Sequence, residues 1–142
     1  MIENVLHNGE LLGIIIGSSF KKEGIAFFTE DHFSQQLGYM NRPKGYIIEP
    51  HRHNIVSREV VLTQEVLFIK SGKVRVDFYD NEQNYLQSRI LNTGDVVLLA
   101  SGGHGFEMLE NAEIIEVKQG PYVGERDKVR FEPVEKHKVI FK

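Results

Sequence analysis

Short runs rich in valine, isoleucine, phenylalanine and tyrosine recur along this chain, separated by glycine, asparagine, aspartate and proline. No stretch keeps a helical period for long. Apolar and β-branched runs of this length, bounded by turn-forming residues, are typical of strands. The pattern therefore predicts an all-β protein.

The predicted strands are spread over most of the chain. We expect them at residues 11–17, 25–29, 36–41, 46–53, 59–63, 65–70, 73–79, 85–91, 95–100, 105–109, 113–118 and 129–132. The clearest is 73–79, where Val74, Val76 and Phe78 alternate with charged residues. Alternation with a period of two predicts an apolar inner face and a charged outer face.

Turn residues predict how these strands connect. Ser71-Gly72 is expected to be a hairpin turn and Asp80-Asn81-Glu82 a second one. Only residues 31–36 suggest a helical turn. So many strands in one small domain should close into a barrel or pair as a sandwich, because open edges invite aggregation. The tail, residues 136–142, is expected to form a terminal strand or to add to a partner subunit.

Composition narrows the class of protein. A chain of 142 residues with 41% hydrophobic and 26% charged residues fits one globular domain. A formal charge of -3 and dispersed basic residues argue against a nucleic-acid partner. The apolar stretch 11–16 is too short to span a membrane and lacks the features of a secretory signal, so we expect a cytoplasmic protein without a membrane partner. No cysteine occurs, which leaves imidazole and carboxylate as the strong metal ligands.

Candidate metal ligands stand in a recognisable order. His51 and His53 are one residue apart in a predicted strand, so their side chains should point to the same side. Glu65 begins the next apolar run, and His104 lies in the sequence Gly-Gly-His-Gly. Two imidazoles on one side of a strand can bind one ion, and the sequence therefore predicts a metal site.

Glycines accompany these ligands at fixed positions. The first group is Gly45, His51, His53, Glu65 and Gly72, and the second is Gly94, Gly102 and His104. Their order and spacing resemble the two motifs of the cupin family, whose members are small jelly-roll barrels. The resemblance covers about residues 36–118. It implies a single domain, 1–142, in which residues 11–29 and 119–142 are extensions of the barrel core.

Three departures from the family pattern concern the acidic ligand and the second motif. Residues 54–64 lengthen the gap after the histidine pair, Ala100 stands where proline is usual, and the motif histidine comes one residue early. Because of the longer gap, Glu59 competes for the acidic place. Glu65 is favoured because it keeps the spacing to Gly72.

The resemblance implies a jelly-roll barrel or sandwich that binds one divalent transition metal, Fe, Mn, Ni, Co or Zn, through His51, His53, Glu65 and His104. It also implies a small-molecule ligand and a homodimer. Residues 116–133 are similar to the end of cupin metalloproteins encoded with bacterial O-antigen and capsule genes. That similarity implies a carbohydrate or nucleotide sugar and an isomerisation, epimerisation or oxidation.

The function itself stays open among three classes. The first is a metalloenzyme, and the second is a metal-independent isomerase or epimerase in which a histidine base works with a tyrosine acid such as Tyr39 or Tyr46. The third is a non-catalytic ligand-binding or sensory module. Glu49 has the strand parity of His51, which makes it a candidate acid or spare ligand, or else an exposed carboxylate.

Overall fold

The computed structural model describes residues 1–142 and is all-β, as the pattern of the sequence predicts. The strands are β1 (Ile2–His7), β2 (Glu10–Ile16), β3 (Gly24–Phe27), β4 (Gly38–Asn41), β5 (Glu65–Ser71), β6 (Lys73–Tyr79), β7 (Tyr85–Asn92), β8 (Val96–Leu99), β9 (Gly103–Met108) and β10 (Glu113–Lys118). Two 3₁₀ turns follow at Gly124–Asp127 and Lys136–Lys138. No helix of the chain combines the length and the apolar character needed to cross a bilayer.

Two antiparallel sheets enclose the main core. One has the strand order β1-β2-β8-β5-β10 and the other the order β7-β6-β9, and neither closes into a barrel. The inner side chains of β5, β6 and β8 are buried, including Leu67, Ile69, Val76, Phe78 and Val97. The predicted alternation in β6 is confirmed, since Val76 and Phe78 pack in this core.

The other face of the five-stranded sheet carries a second, smaller core. Ile14 and Leu98 are fully buried there, against Leu37 and partly buried phenylalanines from residues 20–33. A separate two-stranded sheet pairs β3, which lies within that segment, with β4, which follows it. This layer leads the chain directly into residues 42–64, which contain no strand or helix.

Three predicted strands are absent and one observed strand was not predicted. Residues 46–53, 59–63 and 129–132 form no strand, because no neighbouring backbone pairs with them. The prediction was wrong there despite their apolar character, since a strand requires a partner as well as a pattern. The unpredicted strand is β1, which pairs with β2 through a turn at Asn8-Gly9.

Ser71-Gly72 is a corner between sheets, so its prediction as a hairpin turn was wrong. β5 belongs to the five-stranded sheet and β6 to the three-stranded one, and the two strands are not paired. Gly72 has φ +85° and lies so close to the backbone that a Cβ there would be 2.1 Å from the carbonyl oxygen of Asn111. The turn after β6 is a hairpin as predicted, with the Asp80 carboxylate accepting hydrogen bonds from the backbone.

The charged face of β6 is buried, although the sequence pattern predicts an outer face. Arg75 and Asp77 are 7% and 3% exposed, and the Arg75 guanidinium donates to the Asp77 carboxylate at 2.8 and 2.9 Å. Ser88 of β7 donates to Asp77, and its backbone N–H donates to the carbonyl of Ile140 at 2.7 Å. The C-terminal tail therefore packs against its own chain, beside this polar cluster.

Replacing Gly72 with alanine should be strongly destabilising. The left-handed backbone costs about 1–2 kcal/mol for a residue with a Cβ, and the close carbonyl adds an overpacking cost of about 1–3 kcal/mol. Gly9→Ala is the matched control, because Gly9 also has a positive φ but has no atom near the added Cβ. Urea unfolding should show a loss at position 72 at least twice that at position 9. Equal losses would contradict the tight corner between the sheets.

Candidate functional site

Glu65 is the first residue of β5 and lies on the inner face of the five-stranded sheet. Its register partners are Leu99 of β8 and Lys118 of β10. Leu67 and Ile69, which share its face, belong to the main core. Glu65 is only 9% exposed, so its carboxylate lies at the end of an apolar interior.

His104 comes from the opposite sheet. It is the second residue of β9 and pairs in register with Phe78, whose side chain is in the core. Because cross-strand partners share a face, His104 also points inward. Its Nε2 lies 3.2 Å from Oε2 of Glu65. The two residues that the sequence places in separate motifs thus meet at the end of the core.

Positive charge and hydrogen bonding keep the Glu65 carboxylate ionised. The hydrogen bond with His104 is the largest cause lowering the pKa of Glu65, and it outweighs the opposing effect of burial. The charges of His104, Lys118 and Lys128 lower this pKa further. Neither lysine carries a signal for this role in the sequence. Lys118 could be placed near Glu65 only from the pairing of β10 with β5, and Lys128 only from the path of the chain after β10.

The Glu65–His104 pair has the spacing of two metal ligands. Two ligands at right angles with bonds of about 2.1 Å are roughly 3 Å apart, close to the observed 3.2 Å. Carboxylate oxygen and imidazole nitrogen suit a borderline divalent ion. A protein site for such an ion usually has at least three protein ligands, however. The pair is therefore compatible with a metal site, but it supplies only two of the four predicted ligands.

His51 and His53 lie elsewhere, on an exposed stretch without secondary structure. Their ring centroids are 5.3 Å apart, so the two imidazoles are neighbours. Nδ1 of His51 is 2.9 Å from the carbonyl oxygen of Glu49 and must donate to it, which leaves Nε2 free as an acceptor or ligand. Within one chain no three histidine or acidic side chains come together as a possible metal site. The four predicted ligands therefore form two separate pairs.

Comparisons with known proteins do not extend this description. No family model, curated protein or solved structure matches this chain. The resemblance to cupins therefore rests on the motif residues, and the site must be interpreted from its own geometry.

The remaining candidates lie apart from the Glu65–His104 pair. Tyr39 is half-buried and packs edge-on against Phe20, with ring centroids 5.0 Å apart. Tyr46 is exposed beneath the guanidinium of Arg42. Glu49 is exposed as well.

Glu59, the competing acidic residue, lines a surface cavity of about 400 Å³ beside Phe33 and Ala100. Neither Glu65 nor His104 lines that cavity. The acidic residue that contacts the second-motif histidine is thus Glu65.

Glu65→Gln should reduce the stability of metal-free protein at neutral pH and have less effect in acid. Because the folded-state pKa of Glu65 is lowered, its contribution is complete above the unfolded-state value of about 4.3 and is lost as pH falls through the folded-state value. We expect a loss of about 1–2 kcal/mol at pH 7. Urea unfolding with a chelator, from pH 7 to pH 3, measures this difference.

The control is Glu116→Gln, at an exposed position of β10. Its effect on the free energy of unfolding should be small at every pH. A Glu65→Gln effect that is constant or grows toward pH 3 would contradict the charged pair.

Proposed function

We propose that this chain is a divalent-metal-binding protein of the cupin type, with His51, His53, Glu65 and His104 as its ligands. The observation that supports it best is the 3.2 Å contact between Glu65 and His104. These two residues belong to different motifs and different sheets, and nothing in their sequence separation requires them to meet. Their pairing on the inner face is what a metal site at the end of a β-sandwich needs.

The fold proposal is that the two sheets are the halves of a jelly roll. The three-stranded sheet ends at β9, which has a neighbour only on the side of β6. A further strand beside β9 would extend that sheet to four strands. Residues 46–53, with their strand-like pattern and two histidines, are the segment that we assign to this place.

The proposed ligand is a carbohydrate or nucleotide sugar, converted by isomerisation, epimerisation or oxidation in surface-polysaccharide metabolism. The substrate class rests on the similarity of residues 116–133 to capsule-associated cupins. Lys128 supports it, and so does Lys118, whose ammonium also lies 3.8 Å from the Asp127 carboxylate, because the charges of both lysines act at Glu65 and would favour an anionic phosphate near the site. A bound divalent ion would supply Lewis-acid activation of a carbonyl or hydroxyl.

Metal analysis of protein prepared without a histidine tag tests the binding proposal. After incubation with Zn²⁺ and dialysis, the wild type should retain about one ion per chain. His104→Ala and Glu65→Gln should each weaken binding by more than the roughly 10–100-fold that loss of a ligand's hydrogen-bond partner causes. Elemental analysis gives the stoichiometry, and competition with a chromophoric chelator gives the affinity.

His137→Ala is the control for this experiment. His137 is exposed and contacts only Glu135 among the acidic residues, so its removal should leave the stoichiometry unchanged. Metal-loaded wild type should then be screened for turnover of nucleoside diphosphate sugars. A wild type that retains no metal, or equal losses in His137→Ala and His104→Ala, would contradict the proposal.

A second candidate, metal-independent acid–base catalysis, is favoured by the same contact. A histidine oriented by a buried carboxylate is a common general base. The tyrosine acid is the weaker part of this alternative, because Tyr39 packs against Phe20 and Tyr46 lies on the exposed stretch. Turnover of a nucleotide sugar that is unaffected by chelators would favour this candidate over the metalloenzyme.

A further inference from the structure

Residues 43–58, named the arm here, are the most unusual segment of the chain. Every residue from 41 to 63 is exposed. The arm nevertheless carries large apolar side chains, namely Tyr46, Ile47, Ile48, Ile55 and Val56. Its only backbone hydrogen bond is the turn from Tyr46 N–H to the carbonyl of Pro43. Apolar and unpaired backbone of this kind is available for pairing with another strand.

The arm is anchored at both ends, so it is not a loose terminus. It begins just after β4, which is paired with β3. It ends before Gln64, which is 4% exposed and whose side chain accepts hydrogen bonds from Ser34 and from the backbone of Gln35. The Gln64 side chain also donates to the carbonyl of Ala100. A segment held at two points projects as a unit and can reach a neighbouring molecule.

The edge strand β9 offers the complementary feature. Gly103–Met108 pairs with β6 on one side and with no strand on the other. His104 and Phe106 point from this edge strand into the core. An open strand edge beside an incomplete ligand set is a place where an additional strand would satisfy both the backbone and the site.

We infer that the arm of one copy pairs with the β9 edge of a second copy, so that His51 and His53 of one chain join Glu65 and His104 of the other. The exchange is reciprocal, which gives a twofold dimer with two composite sites. The assignment of metal to these sites rests on the proposed function, whereas the exchange itself rests on the exposed arm and the open edge.

Strand parity supports this pairing. His51, His53 and Ile47 have odd numbers and would share one face, directed inward beside His104. Pro50 lacks an N–H donor and is tolerated on an edge strand, which is the position that the arm would occupy. All named strand pairs of this fold are antiparallel, and the added strand is assigned the same direction.

A second copy of the chain can cover both the exposed arm and the open β9 edge. In the observed conformation the arm extends into solvent and is not folded onto its own β9. One twofold operation pairs both arms with both β9 edges, and a twofold axis is the commonest symmetry of protein dimers. The arm and the β9 strand contribute about twenty residues a side, the number found in stable interfaces of standard size.

A heterodimer of two defective chains distinguishes exchange from folding within one chain. One chain carries His51→Ala with His53→Ala, and the other carries Glu65→Gln with His104→Ala. The chains are co-expressed with two different tags, neither of them histidine, and the doubly tagged species is isolated. Zn²⁺ alone is the probe, and each defective homodimer is the control.

With exchanged arms, one of the two sites of the heterodimer has all four ligands. The heterodimer should therefore bind about half as much Zn²⁺ per chain as the wild type, while both homodimers bind none with comparable affinity. If the wild type binds Zn²⁺ and the heterodimer does not, the sites form within single chains and the inference is overturned, although the proposed function survives.

Oligomeric state tests the exchange even if the wild type binds no metal. Ile47→Asp changes an arm side chain that is 78% exposed in one chain but would be buried in the exchanged dimer. Tyr122→Asp is the control, at an apolar residue that is 79% exposed and outside the arm. Light scattering should show a wild-type dimer, a monomeric Ile47→Asp variant and a dimeric Tyr122→Asp variant. A monomeric wild type, or a dimer that Ile47→Asp leaves intact, overturns the exchange.

Discussion

The site depends on the alternation of side chains in the strands that pack against the main core. Leu67 and Ile69 of β5 and Val76 and Phe78 of β6 face the same interior from two sheets. This packing determines which residues at the strand ends point inward. Glu65 follows the parity of β5, and His104 lies opposite Phe78 on β9. Their contact is therefore a consequence of core packing.

The same architecture leaves the β9 edge and the apolar arm without partners. A contiguous run of exposed apolar side chains such as the arm marks a site of interaction with another surface. The arm holds His51 and His53 as a neighbouring pair with one ring nitrogen of His51 free, while the core holds Glu65 and His104. Pairing of the arm with β9 of a second copy would form the dimer, extend the three-stranded sheet and complete the ligand set at the same time.

Local pattern was sufficient to predict much of this fold, because period-two alternation marks strands that have a buried face. It predicted the β6 core, because that core depends on parity within one strand, and it favoured Glu65 over Glu59 because Glu65 keeps the spacing to Gly72. It did not predict that Arg75 and Asp77 would be buried, because their cover comes from the distant C-terminal tail. Nor could it show that residues 46–53 lack a partner within the chain, since pairing is a property of the assembled sheet.

The most direct measurement is X-ray absorption spectroscopy of the zinc-loaded wild type, which counts the imidazole ligands of the bound ion. Convergence of both pairs predicts three imidazole nitrogens and one carboxylate per zinc, with nitrogen distances of about 2.0–2.1 Å. An ion with one imidazole, or with a shell of water and carboxylate oxygens only, would show that His51 and His53 do not join Glu65 and His104. That result would contradict the composite metal site.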